Sequence, residues 1–180
     1  ERIRRLVNLE GFGMAATIPA QAPGRYAQWL DQLRQMRNGD MALRPYATQD
    51  GVSQRLMKNN PRLSPDKAQW LAPHWAEQQA DGQWIIRGHP AHKVVNAQLY
   101  QVEETKAVYQ RISAPTLMVH ASDDSLQTSW KGKFGREEFQ QRASVVPQLQ
   151  HVTVPDTGHM LHHDQPQALA VLIEAFLAKP

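Results

Sequence analysis

The 180-residue chain contains no cysteine. That excludes disulfides, thiolate metal sites and a thiol nucleophile within it, and it fits a reducing compartment. It has no apolar run approaching the ~20 residues of a membrane-spanning helix, so no membrane partner is expected. It has no block of like charge either. Its Lys and Arg are scattered and the net charge is +3, which reads as a solvated surface and not as a nucleic-acid footprint. A signal-peptide layout is lacking: Glu1-Arg2-Ile3-Arg4-Arg5 runs straight into Leu6-Val7-Asn8-Leu9. The chain therefore reads as entered in mid-fold, with the cytoplasm as the expected setting. What is present, 41% hydrophobic and 21% charged residues, is the composition of an ordinary globular protein.

Three short apolar or β-branched runs read as strands of a parallel sheet covered on both faces: Leu6 to Leu9, Thr116 to His120, and Val152 to Val154. Pro147 and Pro155 bracket the third, as at a sheet edge. Leu169, Leu172, Ile173, Phe176 and Leu177 form a helical stripe at i, i+3, i+4, i+7, i+8. Asp164 is placed to cap that helix and Pro166 sits in its first turn.

About a hundred residues separate the first two strands, too many for a crossover loop. Within them Arg25 to Arg37, Gly51 to Asn59, Pro65 to Gln79 and Gln101 to Arg111 read as helices, and Ser64 is a partial cap for the third. Asp81-Gly82 marks a turn, followed by an extended Trp84-Ile85-Ile86. Four of the five Trp residues lie in this insertion, where filling a core is their ordinary use. Glu137 to Val145 is a further helix candidate. The expected organisation is a core strand in 1–14, a helical cap over 15–111, and core strands and helices in 112–180.

Two segments carry chemistry. In Val154-Pro155-Asp156-Thr157-Gly158-His159 an imidazole follows a strand, at the end of a parallel sheet where sites form. In Thr116-Leu117-Met118-Val119-His120-Ala121-Ser122-Asp123-Asp124 two carboxylates follow the preceding strand. Neighbouring strands lie about 4.8 Å apart, so the two loops can meet, and an acid beside a histidine fixes its tautomer and stabilises the imidazolium. Glu10 and Asn8, at the end of the first strand, point to the same end of the sheet. Their readings are a capped strand end or substrate positioning. His159, His162, His163 and Asp164 have helical metal-ligand spacing, but Gly158 and Pro166 make the stretch a loop entering a helix, so neither metal nor cofactor is expected.

The strand Ile112-Ser113-Ala114-Pro115-Thr116-Leu117, an Asp just past its end, and Gly158-His159 with Pro166 before the final helix together resemble the C-terminal part of the α/β-hydrolase superfamily. The opening Leu6-Val7-Asn8-Leu9-Glu10-Gly11-Phe12-Gly13 resembles the strand after that family's nucleophile helix. Asp81 to Tyr100 is similar to its cap segments. The resemblance implies an α/β fold of about three parallel strands with flanking helices and a cap inserted between the first two. It implies His159 as the catalytic base and Asp124 as the triad acid, with Asp123 as the second choice because Ala121 stands where the family has Gly. The family's Gly-x-Ser-x-Gly is missing, and none of the seven Ser residues has that context. The expected function is a hydrolase, esterase-like, acting on a small-molecule ester, thioester, amide or carbon–carbon bond, here without its nucleophile and inactive alone. The expected partner is the missing N-terminal half of the fold, and without it the exposed first strand would invite self-association. A non-catalytic binding module is the alternative.

Overall fold

The computed structural model describes residues 2–179 (for Thr128, its backbone); Glu1 and Pro180 lie outside the described residues. The chain divides into two compact units, one running to Thr17 and resuming at Tyr100, the other Ile18–Leu99.

The first unit holds a parallel sheet of β1 (Leu6–Leu9), β4 (Thr116–Ala121) and β5 (Leu149–Val154), in the order β1-β4-β5. Leu6 pairs with Thr116 and Leu9 with Val119; Thr116 pairs with Leu149 and Ala121 with Val154. Every residue of the central β4 is buried, and its alternation builds two cores. Leu117 and Val119 join Val154, Leu161, Leu169 and Phe176 on one face. Met118 joins Phe12, Leu126, Phe134, Phe139 and Ala143 on the other. Two-sided burial is why this strand reads as continuously apolar.

The final helix α8 (Pro166–Leu177) supplies Leu169 and Phe176 to the first core, whereas Leu177 is exposed. Asp164 does not cap it. The residue at that position is Gln165 and no side chain caps the helix, because Asp164 Oδ2 accepts the Gly158 amide at 2.8 Å instead. A four-residue helix α7 (Leu161–Asp164) precedes α8. The opposite face is covered by α5 (Ser125–Trp130) and α6 (Arg136–Ala143). Helix α4 (Val102–Tyr109) belongs to this unit and contacts α6, so the division falls short of the expected 15–111 at both ends. The two junctions are tied together, Thr17 Oγ1 donating to the Tyr100 carbonyl at 2.8 Å.

The second unit contains α1 (Ala22–Arg37), α2 (Gln49–Asn59), α3 (Pro65–Trp75) and a hairpin of β2 (Ala76–Gln78) with β3 (Trp84–Ile86). Thr48 and Ser64 cap α2 and α3 through the amides of Gly51 and Lys67. Helix α3 stops at Trp75, short of the expected Gln79. Pro73 lies inside its last turn, where a missing N–H and a bulky ring weaken the helix, and the next three residues pair as β2. The core is aliphatic: Val52, Leu56, Leu63, Ala68, Leu71, Ala72 and Ala76. The tryptophans do not fill it. Trp84 packs against it from the side, and Trp70 is 67% exposed with its ring against His74.

Candidate active site

All three strands of the sheet end on one side, and three loops emerge there. The loop after β1 begins with Glu10, whose backbone is left-handed at φ 52°. A non-glycine residue adopts that conformation at a cost of order 1 kcal/mol, so something must hold it. The Glu10 amide still donates to the Val119 carbonyl at 3.0 Å. Asn8 braces the turn, its Oδ1 accepting from the Gly11 amide at 2.9 Å and its Nδ2 donating to the Gly11 carbonyl at 2.8 Å. A Cβ at Gly11 would come within 2.3 Å of Asn8 Oδ1, so this bracing requires glycine.

The left-handed turn carries the Glu10 side chain back over the end of β4, where its carboxylate is 1% exposed. Oε1 accepts the Ala121 amide at 2.7 Å and Oε2 accepts the Ser125 hydroxyl at 2.7 Å. Each bond supplies a donor to a buried anion.

The loops after β4 and β5 are clipped together by Ser122 and Thr157. Ser122 Oγ donates to the Thr157 carbonyl at 3.1 Å and accepts the Thr157 amide at 3.0 Å. The Asp123 amide donates to the same carbonyl at 3.0 Å. Thr157 is fully buried. Two residues on stands His159, its side chain 60% exposed, with Nδ1 3.6 Å from Glu10 Oε2. Its ring centroid is 6.3 Å from that of Phe12. A pocket of about 230 Å³ opens beside the pair, bounded by Glu10, Phe12, Ser125, Ser129, Trp130 and His159. A wider hollow of about 510 Å³, lined by Leu6, Val108 and Ile112, contains no acid–base pair.

The sheet thus brings a carboxylate to His159, but from β1 and not from the loop after β4. Asp124 heads α5, where its Oδ1 accepts the Gln127 amide at 3.0 Å; a helix starting at Ser125 needs that acceptor. Asp123 is exposed, and its carbonyl accepts a bond from Arg136 at 2.6 Å. The sequence signal for Glu10 was its place one residue past a strand, before Gly11-Phe12-Gly13.

Behind the pocket, His120 is 2% exposed, with Nε2 2.9 Å from His151 Nδ1 and the ring near Phe12 and Phe139. Burial above all, then the neighbouring His151 and Arg136, pushes its pKa down to about 4. It is neutral at physiological pH. Among the described residues no group of three or more His, Cys, Asp or Glu gathers as metal ligands, and no helix is long and apolar enough to cross a membrane.

The parallel sheet of three strands with helices on both faces is an α/β fold. The family model described as "Alpha/beta hydrolase family" matches residues 3–172, and the chain belongs to that family. It is similar in structure to a hypothetical protein from Pseudomonas aeruginosa PAO1 (TM-score 0.81, 20% identity, 99% of this chain and 60% of the other). It is also similar to the thioesterase domain from the curacin biosynthetic pathway (TM-score 0.73, 20% identity, 96% and 58%). An esterase from Mycobacterium tuberculosis is a further likeness (TM-score 0.64, 16% identity, 98% and 55%). These likenesses show the fold. The chain spans about three fifths of the length of the first two structures it matches. Comparison with curated protein sequences found no match.

Proposed function

We propose that these residues are the base-bearing part of a serine-type hydrolase acting on an ester or thioester, with amide or carbon–carbon cleavage as further members of the same chemistry. The observation that carries the reading is the buried Glu10 carboxylate 3.6 Å from Nδ1 of the exposed His159. With Nδ1 facing an anion, Nε2 is the nitrogen left for proton transfer. A nucleophile supplied from outside these 180 residues loses its proton to Nε2 as it attacks the carbonyl carbon. The imidazolium is stabilised by Glu10 and returns the proton to the leaving group. His159 then takes a proton from water as the water oxygen attacks the acyl carbon, and it passes that proton to the nucleophile as the acyl bond breaks, which restores both groups. The 3.6 Å separation is longer than a hydrogen bond; such contacts tighten in the substrate complex. The esterase and thioesterase among the structural likenesses favour acyl transfer over other chemistries.

The test is labelling of the full-length protein with a fluorophosphonate, which traps a serine activated by a histidine. Labelling in the parent protein and its loss in His159→Ala support the reading. Undiminished labelling in that variant removes His159 from the mechanism, and no labelling of a folded parent favours a binding module.

A further inference from the structure

The pocket contains a hydroxyl to which the mechanism gives no role. Ser125 opens α5 and its Oγ is 2.7 Å from Glu10 Oε2, the same oxygen that faces His159. An ionised carboxylate has no proton to give, so the hydroxyl is the donor. The other oxygen, Oε1, is held by the Ala121 amide. Two donors from two different places, a strand end and a helix start, fix both oxygens. The terminal torsion of a glutamate is otherwise broad.

We propose that Ser125 is a positioning residue for hydrolysis: by donating to Glu10 Oε2 it keeps that oxygen on Nδ1 of His159. The inference rests on the reading of His159 as the base. It gives the segment after β4 a part at the site although the Asp124 carboxylate is engaged at the start of α5. Asp124 caps α5, and the cap sets the first turn of the helix from which Ser125 reaches Glu10. The loop acts on the histidine through a serine, and the carboxylate comes from β1.

A merely structural Ser125 and a positioning Ser125 differ in two readouts. In the full-length enzyme, Ser125→Ala is expected to lower kcat about tenfold with KM changed less than twofold, the loss of one hydrogen bond to a charged group. Ser125→Thr, which keeps the hydroxyl, restores most of it. In a Glu10→Gln background, Ser125→Ala costs nothing further, because the carboxylate that it positions is already gone. An equal loss in both backgrounds, or none in either, overturns the proposal. The second readout needs no turnover: nitrogen-15 NMR of the neutral His159 ring. The parent is expected to hold the Nδ1–H tautomer, and Ser125→Ala to shift it toward Nε2–H while the melting temperature stays within a degree or two. An unchanged tautomer in Ser125→Ala overturns the positioning role. A tautomer shift in a protein that hydrolyses nothing leaves that role standing and refutes the hydrolase reading instead.

Discussion

Glu10 accepts the backbone amide of Ala121, so a side chain from one strand closes off the end of its neighbour and reaches the loop beyond it. The sheet order β1-β4-β5 makes this reach necessary, because Glu10 and His159 leave from the two strands that flank β4. Length is therefore critical. Glu10→Asp, one methylene shorter, cannot keep the Ala121 bond and face His159 together. A fall in kcat of about a hundredfold, with an unchanged fold by circular dichroism, is expected. Near-parental turnover in that variant would show that the reach is not needed.

The fold was legible because its signals are local. The apolar run at β4 and the stripe of Leu169, Leu172, Ile173 and Phe176 are consequences of burial that any reader of periodicity finds. The site was legible only in part. The sequence placed His159 on its loop and both acids past β4, but it could not show that Asp124 would be taken up by the helix it precedes. Nor could it show that Glu10 would adopt a left-handed backbone, since that depends on Asn8 bracing Gly11. Helix α5 was missed because its six residues are too few to show a period. The β2–β3 hairpin was half seen, in Trp84-Ile85-Ile86, while its partner Ala76-Glu77-Gln78 has little strand character of its own.

The buried His120 makes stability depend on pH. Its ordinary pKa of 6.5 is lowered to about 4 in the fold, with His151 and Arg136 facing it. The unfolded chain takes up that proton near 6.5, and the folded one only near 4. The stabilisation is complete above pH 6.5 and is lost progressively as pH falls toward 4. Urea unfolding at pH 7 and pH 4.5 is expected to show a decline on the order of 2 kcal/mol that His120→Gln largely abolishes. An equal decline in both proteins would assign it to other groups.

Arg142 is a second point of weakness. Its side chain is 6% exposed, pairs with Glu138, donates to the Met14 carbonyl at 2.7 Å and lies 4.3 Å over the Phe134 ring. Arg142→Ala leaves Met14 and Glu138 without this donor and is expected to cost about 3 kcal/mol of unfolding free energy. Arg142→Lys should recover less than half, because an ammonium cannot fork between two acceptors. Full recovery by lysine would mean that charge alone matters there.

The second unit has a core of its own, so its stability can be lowered separately. Leu56→Ala opens a cavity in the aliphatic cluster and should cost about 2–4 kcal/mol. Hydrogen exchange is expected to quicken in α2 and α3 while β4 amides keep their protection. Equal quickening in both would show one cooperative body.

The central claim is that Glu10 orients His159. Steady-state hydrolysis kinetics of Glu10→Gln and Asp124→Asn in the full-length protein test it most directly. Both changes preserve shape, and asparagine still caps a helix. Glu10→Gln presents an amide where a carboxylate faced Nδ1 and is expected to lower kcat by about a thousandfold or more, while Asp124→Asn stays within a few-fold of the parent. The reverse order, with Asp124→Asn the crippled variant, would contradict the account.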